Sequence, residues 1–225
     1  MYYDSTFLLL IPALLLAFYA QWKVKSTFEK YSKVSCAKGY SGAQVARHIL
    51  DENNLQNSAV EQIAGQLTDH YDPRVMKLRL SDPVYNSNSV AALGVAAHEA
   101  GHAIQDAKGY VPIKLRNGMV PAANLGSTLA FPLFILGIFA GIPQLMDIAI
   151  ILFSLALAFS VLTLPVEFNA SRRAIKVLAD GHFLTTEELP KAKAVLNAAA
   201  LTYVASTTMA VLNLVRLLML RGQRD

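Results

Sequence analysis

A single cysteine, Cys36, stands in 225 residues. No disulfide can therefore close within the chain, and a lone thiol suits a reducing compartment. Charge is scarce as well, at 16% of residues against 54% hydrophobic. With a mean hydropathy of +0.36, this is the composition of an integral membrane protein. No basic patch interleaved with aromatics occurs, so nothing points to nucleic acid. The net charge of +4 belongs to loops beside apolar segments. Internal repeats and low-complexity tracts are lacking too. Ahead of the first apolar segment, Met1-Tyr2-Tyr3-Asp4 has no basic residue, and no small-x-small site precedes Trp22 and Lys23. That segment reads as a retained signal anchor rather than a cleaved signal peptide.

What the chain does have is apolar runs of bilayer length. Four reach the roughly 20 residues a span requires: about Tyr3 to Trp22, Ala122 to Ile142, Leu145 to Leu164 and, more weakly, Ala198 to Leu220. Ser206, Thr207, Thr208, Asn213 and Arg216 interrupt the last of these. Lys23, Lys25, Lys30 and Lys33 follow the first run, and nothing basic precedes it. The excess of cations on cytoplasmic loops then puts the N-terminus outside. The expected organisation is an anchor (1–22), a cytoplasmic region (23–120), a transmembrane hairpin turning at Gly141–Gln144 (121–164), a second cytoplasmic segment (165–196) and a last transmembrane or re-entrant helix with its tail (197–225). Arg172, Arg173, Lys176, Lys191 and Lys193 fit the inside placement of 165–196, whereas Arg221 and Arg224 do not fit an outside tail.

The most informative stretch is His98-Glu99-Ala100-Gly101-His102, inside the helix-like run Ser89 to Asp106. Residues four apart lie on one helix face, so both imidazoles aim at a common point, as two ligands of one Zn²⁺ must. Glu99 sits beside that face, where a carboxylate can take a proton from a water on the metal. The flank Val90–Ala97 is almost wholly small and apolar, which predicts a buried helix. Two histidines and a glutamate on a buried helix are costly unless something pairs or coordinates them.

Around this helix the chain reads as a small α+β region. Ser41 to Asn53 is predicted to be a helix capped by Ser41. Val60 to Leu67 and Val75 to Ser81 alternate like strands, with Asp69–Pro73 as the turn between them. Their free edge near Leu78, Arg79 and Leu80, or the segment at Tyr85 and Asn86, is the candidate place for an extended peptide to add.

Catalytic zinc takes three protein ligands and keeps one position for water. A third ligand must come from the same membrane face as His98 and His102, which the 165–196 segment provides. Glu167, just after Pro165 and within a turn of a span, is the candidate. Pairing with Arg172 or Arg173 is the alternative. His70, in the polar turn, either caps it or donates to a reaction intermediate. His182, after a helix ending near Gly181, is either structural or a donor near the metal. His48 receives no role.

Ala97-His98-Glu99-Ala100-Gly101-His102-Ala103-Ile104-Gln105, with Leu78-Arg79-Leu80-Ser81 and Ser89-Val90-Ala91-Ala92 upstream, resembles the YugP-type neutral zinc metallopeptidases of bacterial membranes over nearly the whole chain. More distantly, H-E-x-x-H followed by Glu167-Phe168-Asn169-Ala170 is similar to the HtpX-like and CAAX-processing membrane peptidases of the gluzincin group. The resemblance implies a cytoplasm-facing zinc endopeptidase in the cell membrane, with Glu167 as third ligand. Gluzincins place an Asp four residues after that Glu, and here the position is Ser171, so the partner of His98 is open.

Taken together, the expectation is a mainly α integral membrane protein with about four transmembrane helices and a small α+β zincin-like catalytic domain. One Zn²⁺ per chain is held by His98, His102 and Glu167, and Glu99 is the general base acting on a polypeptide substrate. The alternative is a non-catalytic membrane adaptor or quality-control scaffold with a structural zinc site. A metal transporter would need several ionisable residues within the spans, and Asp147 alone is too few. The sequence specifies neither the natural substrate nor an oligomeric state.

Overall fold

The computed structural model describes residues 5–223. Met1–Asp4, on which the retained-anchor expectation partly rests, and Arg224 and Asp225 lie outside the described residues. Helix dominates, and four helices are long and apolar enough to cross a membrane: Thr6–Tyr31, Val111–Ala140, Pro143–Asp180 and Leu189–Gly222. After a 3-10 turn at Ser5–Leu10 the elements are α1 (Ile11–Tyr31), α2 (Gly42–Glu52), β1 (Ala59–Ile63), β2 (His70–Asp72), β3 (Lys77–Ser81), α3 (Asp82–Tyr85), α4 (Val90–Ala107), α5 (Val111–Ala140), α6 (Pro143–Asp180) and α7 (Leu189–Gly222). The protein is thus a mainly α membrane protein carrying a small α+β region. It divides into two compact units. One comprises Met1–Gln21, Lys114–Pro165 and Leu201–Asp225, and the other Trp22–Ile113 and Val166–Ala200.

The first unit is built from apolar helix surfaces. Ala130, Phe134, Met146, Ala149, Phe153 and Leu217 form its buried core. α5 and α6 pack so closely that a side chain at Gly126 would run into the Leu152 carbonyl. They are joined by the expected turn, with Gly141 at φ 67°, a left-handed conformation that glycine adopts without steric cost. Arg216 Nε donates to Thr6 Oγ1 at 3.2 Å, and Arg221 Nε to Asp147 Oδ1 at 2.8 Å. The end of α7 therefore lies beside both the start of the chain's first helix and the α5–α6 turn. α7 is one continuous helix, long and apolar enough to cross a membrane, and Asp147 supplies the charge partner for an Arg221 that the cation pattern left unexplained.

The second unit is built around α4. Ser89 caps it by accepting from Ala92 N at 3.1 Å, and Gly109 in the left-handed region (φ 65°) follows its end. α2 begins as expected at Ser41, where a reciprocal capping box with Gln44 satisfies two backbone N–H groups. The buried faces of α2 (Val45, Ile49), β3 (Leu78, Leu80) and α4 (Leu93, Ala96) meet α6 (Leu178) and α7 (Val195) in one core.

The sheet departs from the sequence reading. It has three strands in the order β1-β3-β2, with β1 parallel and β2 antiparallel to β3. Asp69–Pro73 is not simply a turn, because His70–Asp72 pairs with Lys77–Arg79. Leu67 and Met76 have φ of 58° and 50°, which no strand tolerates, so both predicted strands end short of them. β3 is consequently the central strand. Leu78, Arg79 and Leu80 have partners on β1, Leu78 and Arg79 also on β2, so Leu78 and Arg79 present no free edge to a peptide and Leu80 is paired on one side. Tyr85 and Asn86 close α3 instead of forming an edge, and the next carbonyls, of Ser87 and Asn88, accept from Gly42 N and Cys36 N. The third span also runs on: α6 continues through Pro165 to Asp180 rather than starting anew at the proline.

Leu80 is fully buried. Leu80→Ala should lower stability by about 2–5 kcal/mol, read from denaturant titration in detergent. Val75→Ala, at a position that is 50% exposed, should change it by less than about 0.5 kcal/mol.

Candidate metal centre

Two elements of the second unit make the site. α4 presents His98 and His102 one turn apart, their rings edge to face at 4.7 Å between centroids. α6 presents Glu167, whose Oε2 lies 3.2 Å from His98 Nε2 and 3.7 Å from His102 Nε2. The helices can come this close because Gly101 has no side chain: a Cβ there would sit 3.0 Å from the Ala170 carbonyl oxygen. The glycine inside the pentapeptide thus sets the distance across which the carboxylate reaches the imidazoles.

The three donor atoms lie within 4.8 Å of one another, the one such group of His, Cys, Asp and Glu among the described residues. Two atoms each about 2 Å from a tetrahedral ion stand roughly 3.3 Å apart. The two carboxylate–imidazole separations, 3.2 and 3.7 Å, are close to that. The outer ring nitrogens are already engaged. His102 Nδ1 is 3.0 Å from Gln105 Oε1, and Gln105 Nε2 donates to the Val166 carbonyl at 2.8 Å and to Asn169 Oδ1 at 3.0 Å. Because the amide nitrogen is spent on acceptors, Gln105 must accept from Nδ1–H, leaving the Nε2 lone pair free for an ion. His98 Nδ1 lies 3.2 Å from Ser171 Oγ, a hydroxyl that can accept in the same way. The residues present fit a bound zinc ion.

Glu99 is buried and makes no hydrogen bond among the described residues. Burial pushes its carboxyl up, the imidazoles of His102 and His98 hold it down, and the charges of Glu167 and Asp69 raise it further. Asp69 is itself raised by burial, against the hydrogen bonds it accepts from Ser81 N and Oγ. Sequence reasoning read Asp69 only as part of a turn and gave Gln105 and Asn169 no part in the site. Gln105 carried a usable signal, being one turn from His102 on a helix predicted to be buried. Asp69 carried none, since its approach to Glu99 depends on how the sheet pairs.

The other candidates fall elsewhere. Arg173 Nε donates to Asn169 Oδ1 at 2.7 Å, while the Glu167 carboxylate is turned to the imidazoles. His70 is exposed. Its Nδ1 donates to the Thr68 carbonyl at 2.8 Å and its Nε2 accepts from Arg79 at 3.3 Å, contacts that hold it at the start of β2. His182 is exposed at φ 54° in the bend that ends α6. His48 is 3.1 Å from Glu52.

A family described as "putative neutral zinc metallopeptidase" matches residues 6–222. The chain is 47% identical over 212 residues to "Putative membrane protease YugP" of Bacillus subtilis (strain 168), covering 94% of each protein. No solved structure matches it.

Gln105→Ala would remove the acceptor that holds His102 Nδ1–H. Zinc affinity, measured by competition with a chromogenic chelator, should fall about 10- to 100-fold with the far-ultraviolet spectrum unchanged. Unaltered affinity would show that Gln105 does not orient the ring.

Proposed function

This chain belongs to the neutral zinc metallopeptidase family, and on that premise we propose that it is a gluzincin-like membrane endopeptidase whose single zinc is held by His98, His102 and Glu167. The observation that carries the reading is the convergence of a half-buried and a buried imidazole with a carboxylate beside Glu99, a buried carboxylate with no hydrogen-bond partner among the described residues. A structural zinc is closed by four protein ligands. Only three converge among the described residues, which favours a site that keeps a place for solvent over the scaffold alternative.

When bound, zinc supplies Lewis acidity, lowering the pKa of water toward about 7 and polarising a carbonyl. The remaining work falls to the chain. Glu99 accepts the proton of the attacking water on its carboxylate and delivers it to the leaving amine nitrogen, as base and then acid. Its raised proton affinity suits both halves of that role. Gln105 and Ser171 hold the two rings with Nε2 facing inward. Asp69 keeps a negative charge near Glu99. β2 packs against α4 and has no strand partner on its outer side among the described residues, so an extended polypeptide would add there, in place of the edge expected at β3.

Glu99→Gln should retain zinc and lose about 10²- to 10⁴-fold in hydrolysis of an unfolded protein in detergent, and a chelator should abolish wild-type cleavage. A zinc-loaded wild type with no activity would favour the scaffold.

We also propose that the protein sits in the cell membrane with the second unit in the cytoplasm. The clusters at Lys23–Lys33 and Arg172–Lys193 support this through the cation bias of inner loops. Cysteines introduced at the exposed Gln144 and Thr186, in a Cys36→Ser background, read it out. An impermeant maleimide should label Gln144→Cys on intact cells and Thr186→Cys only after lysis. The reverse pattern would invert the topology.

A further inference from the structure

Between α6 and α7, within the second unit, lies a cavity of about 390 Å³, in the roughly 300–1,000 Å³ range of ligand sites. Each helix lines it with residues spaced i, i+3, i+4, i+7: Phe168, Ser171, Arg172 and Ile175 from α6, and Lys193, Leu196, Asn197 and Ala200 from α7. Leu196 and Ala200 make its floor, buried to 3% and 7% exposure. Phe168 forms an exposed wall. The charge is of one sign: Arg172 and Lys193 are exposed, no acidic residue lines the cavity, and neither cation has an ion-pair or hydrogen-bond partner among the described residues.

Two links tie this cavity to the metal centre. Ser171 both lines it and stands 3.2 Å from His98 Nδ1, and Phe168 is the residue after Glu167. We propose that the cavity is a specificity pocket for the substrate, taking a polypeptide segment with a large apolar side chain next to a carboxylate. The apolar group fills the space over Leu196 and Ala200. The carboxylate meets Arg172, whose planar fork suits it, and Lys193 reinforces the charge. The pocket extends the peptidase reading by naming the substrate class, and it rests on that reading.

The test is binding to the Glu99→Gln protein in neutral detergent, followed by fluorescence anisotropy of labelled decapeptides. One peptide carries Leu-Asp at its centre, a second Leu-Lys, and a third Ser-Asp. The Leu-Asp peptide should bind about tenfold more tightly than either of the others. Arg172→Ala/Lys193→Ala should erase the preference for Asp over Lys while zinc content stays at one equivalent. Ala200→Leu, which fills the floor, should erase the preference for Leu over Ser.

Equal affinities for all three peptides, or preferences unchanged in both variants, would overturn the proposal. So would displacement of the Leu-Asp peptide by micelles doped with phosphatidylglycerol in wild type but not in the double variant, since the pocket would then be an anionic-lipid site. If the preference holds in binding but zinc-loaded wild type cleaves none of the peptides, the peptidase reading fails and the pocket stands.

Discussion

The close approach of α4 to α6 is the constraint on which the rest of the second unit depends. Gly101 lets the Ala170 backbone come to a distance that a methyl group would crowd, and Ala97 on α4 and Ala170 and Ala174 on α6 are small and buried. Small side chains give up buried area, so this contact is a weaker hydrophobic interaction than one made by Leu or Ile. What it secures is distance. A carboxylate reaches only a few ångströms beyond its own helix, and with larger residues in the seam Glu167 could not stand 3.2 Å from His98 Nε2. The larger apolar side chains, Ile49, Leu78, Leu80, Leu93 and Leu178, are placed behind the seam and supply the burial it lacks.

Burying two imidazoles and two carboxylates opposes folding unless each is matched. Here the matching is graded. His102 has a neutral amide behind it, itself held at three points through Val166, Asn169 and the ring, and Asn169 is fixed in turn by Arg173. His98 has a hydroxyl behind it. A neutral acceptor polarises the ring less than a carboxylate would, so a hydroxyl at this place can orient the His98 ring while adding little to its basicity. Glu99 is the member with no hydrogen-bond partner among the described residues, and it is the one to which the proposed mechanism gives the moving proton.

How much of this could be read from the sequence depends on the range of each interaction. The pentapeptide, its helix, the Ser41 and Ser89 caps and the Gly141 turn are local, and spacing and cap chemistry revealed them. The membrane helices were legible as apolar runs, though their ends were not. α6 continues well past the apolar stretch because Pro165 interrupts hydropathy without interrupting the helix, and α1 likewise extends to Tyr31. The sheet failed for a different reason. Alternation identifies a strand but not its neighbours, and β2 is three residues in a polar stretch with no pattern of its own. Once His70–Asp72 pairs with β3, that strand moves from the edge to the centre, and a site expected along Leu78–Leu80 loses its free edge at Leu78 and Arg79. Topology and family resemblance pointed to Glu167, which stands beside His98 and His102. Asp69 depends on strand pairing, which no spacing rule contains.

The angular order of residues on α6 shows how one helix can serve two purposes without compromise. Each residue turns the helix by about 100°, so Glu167 and Ser171, four apart, share one face and meet the rings of α4. Phe168, Arg172 and Ile175 fall about a quarter-turn away and face α7. Arg173 lies on the opposite flank and is committed to Asn169. A change on the α7-facing stripe therefore alters what the cavity accepts without displacing a donor atom at the metal centre. Ser171 stands where the two faces meet, and it is the residue through which occupancy of one can be felt at the other. A short hydroxyl there touches His98 from the pocket side and leaves the cavity open. A longer acidic side chain in its place would put a negative charge beside a pocket whose only charges are Arg172 and Lys193, weakening the field that selects an anionic substrate.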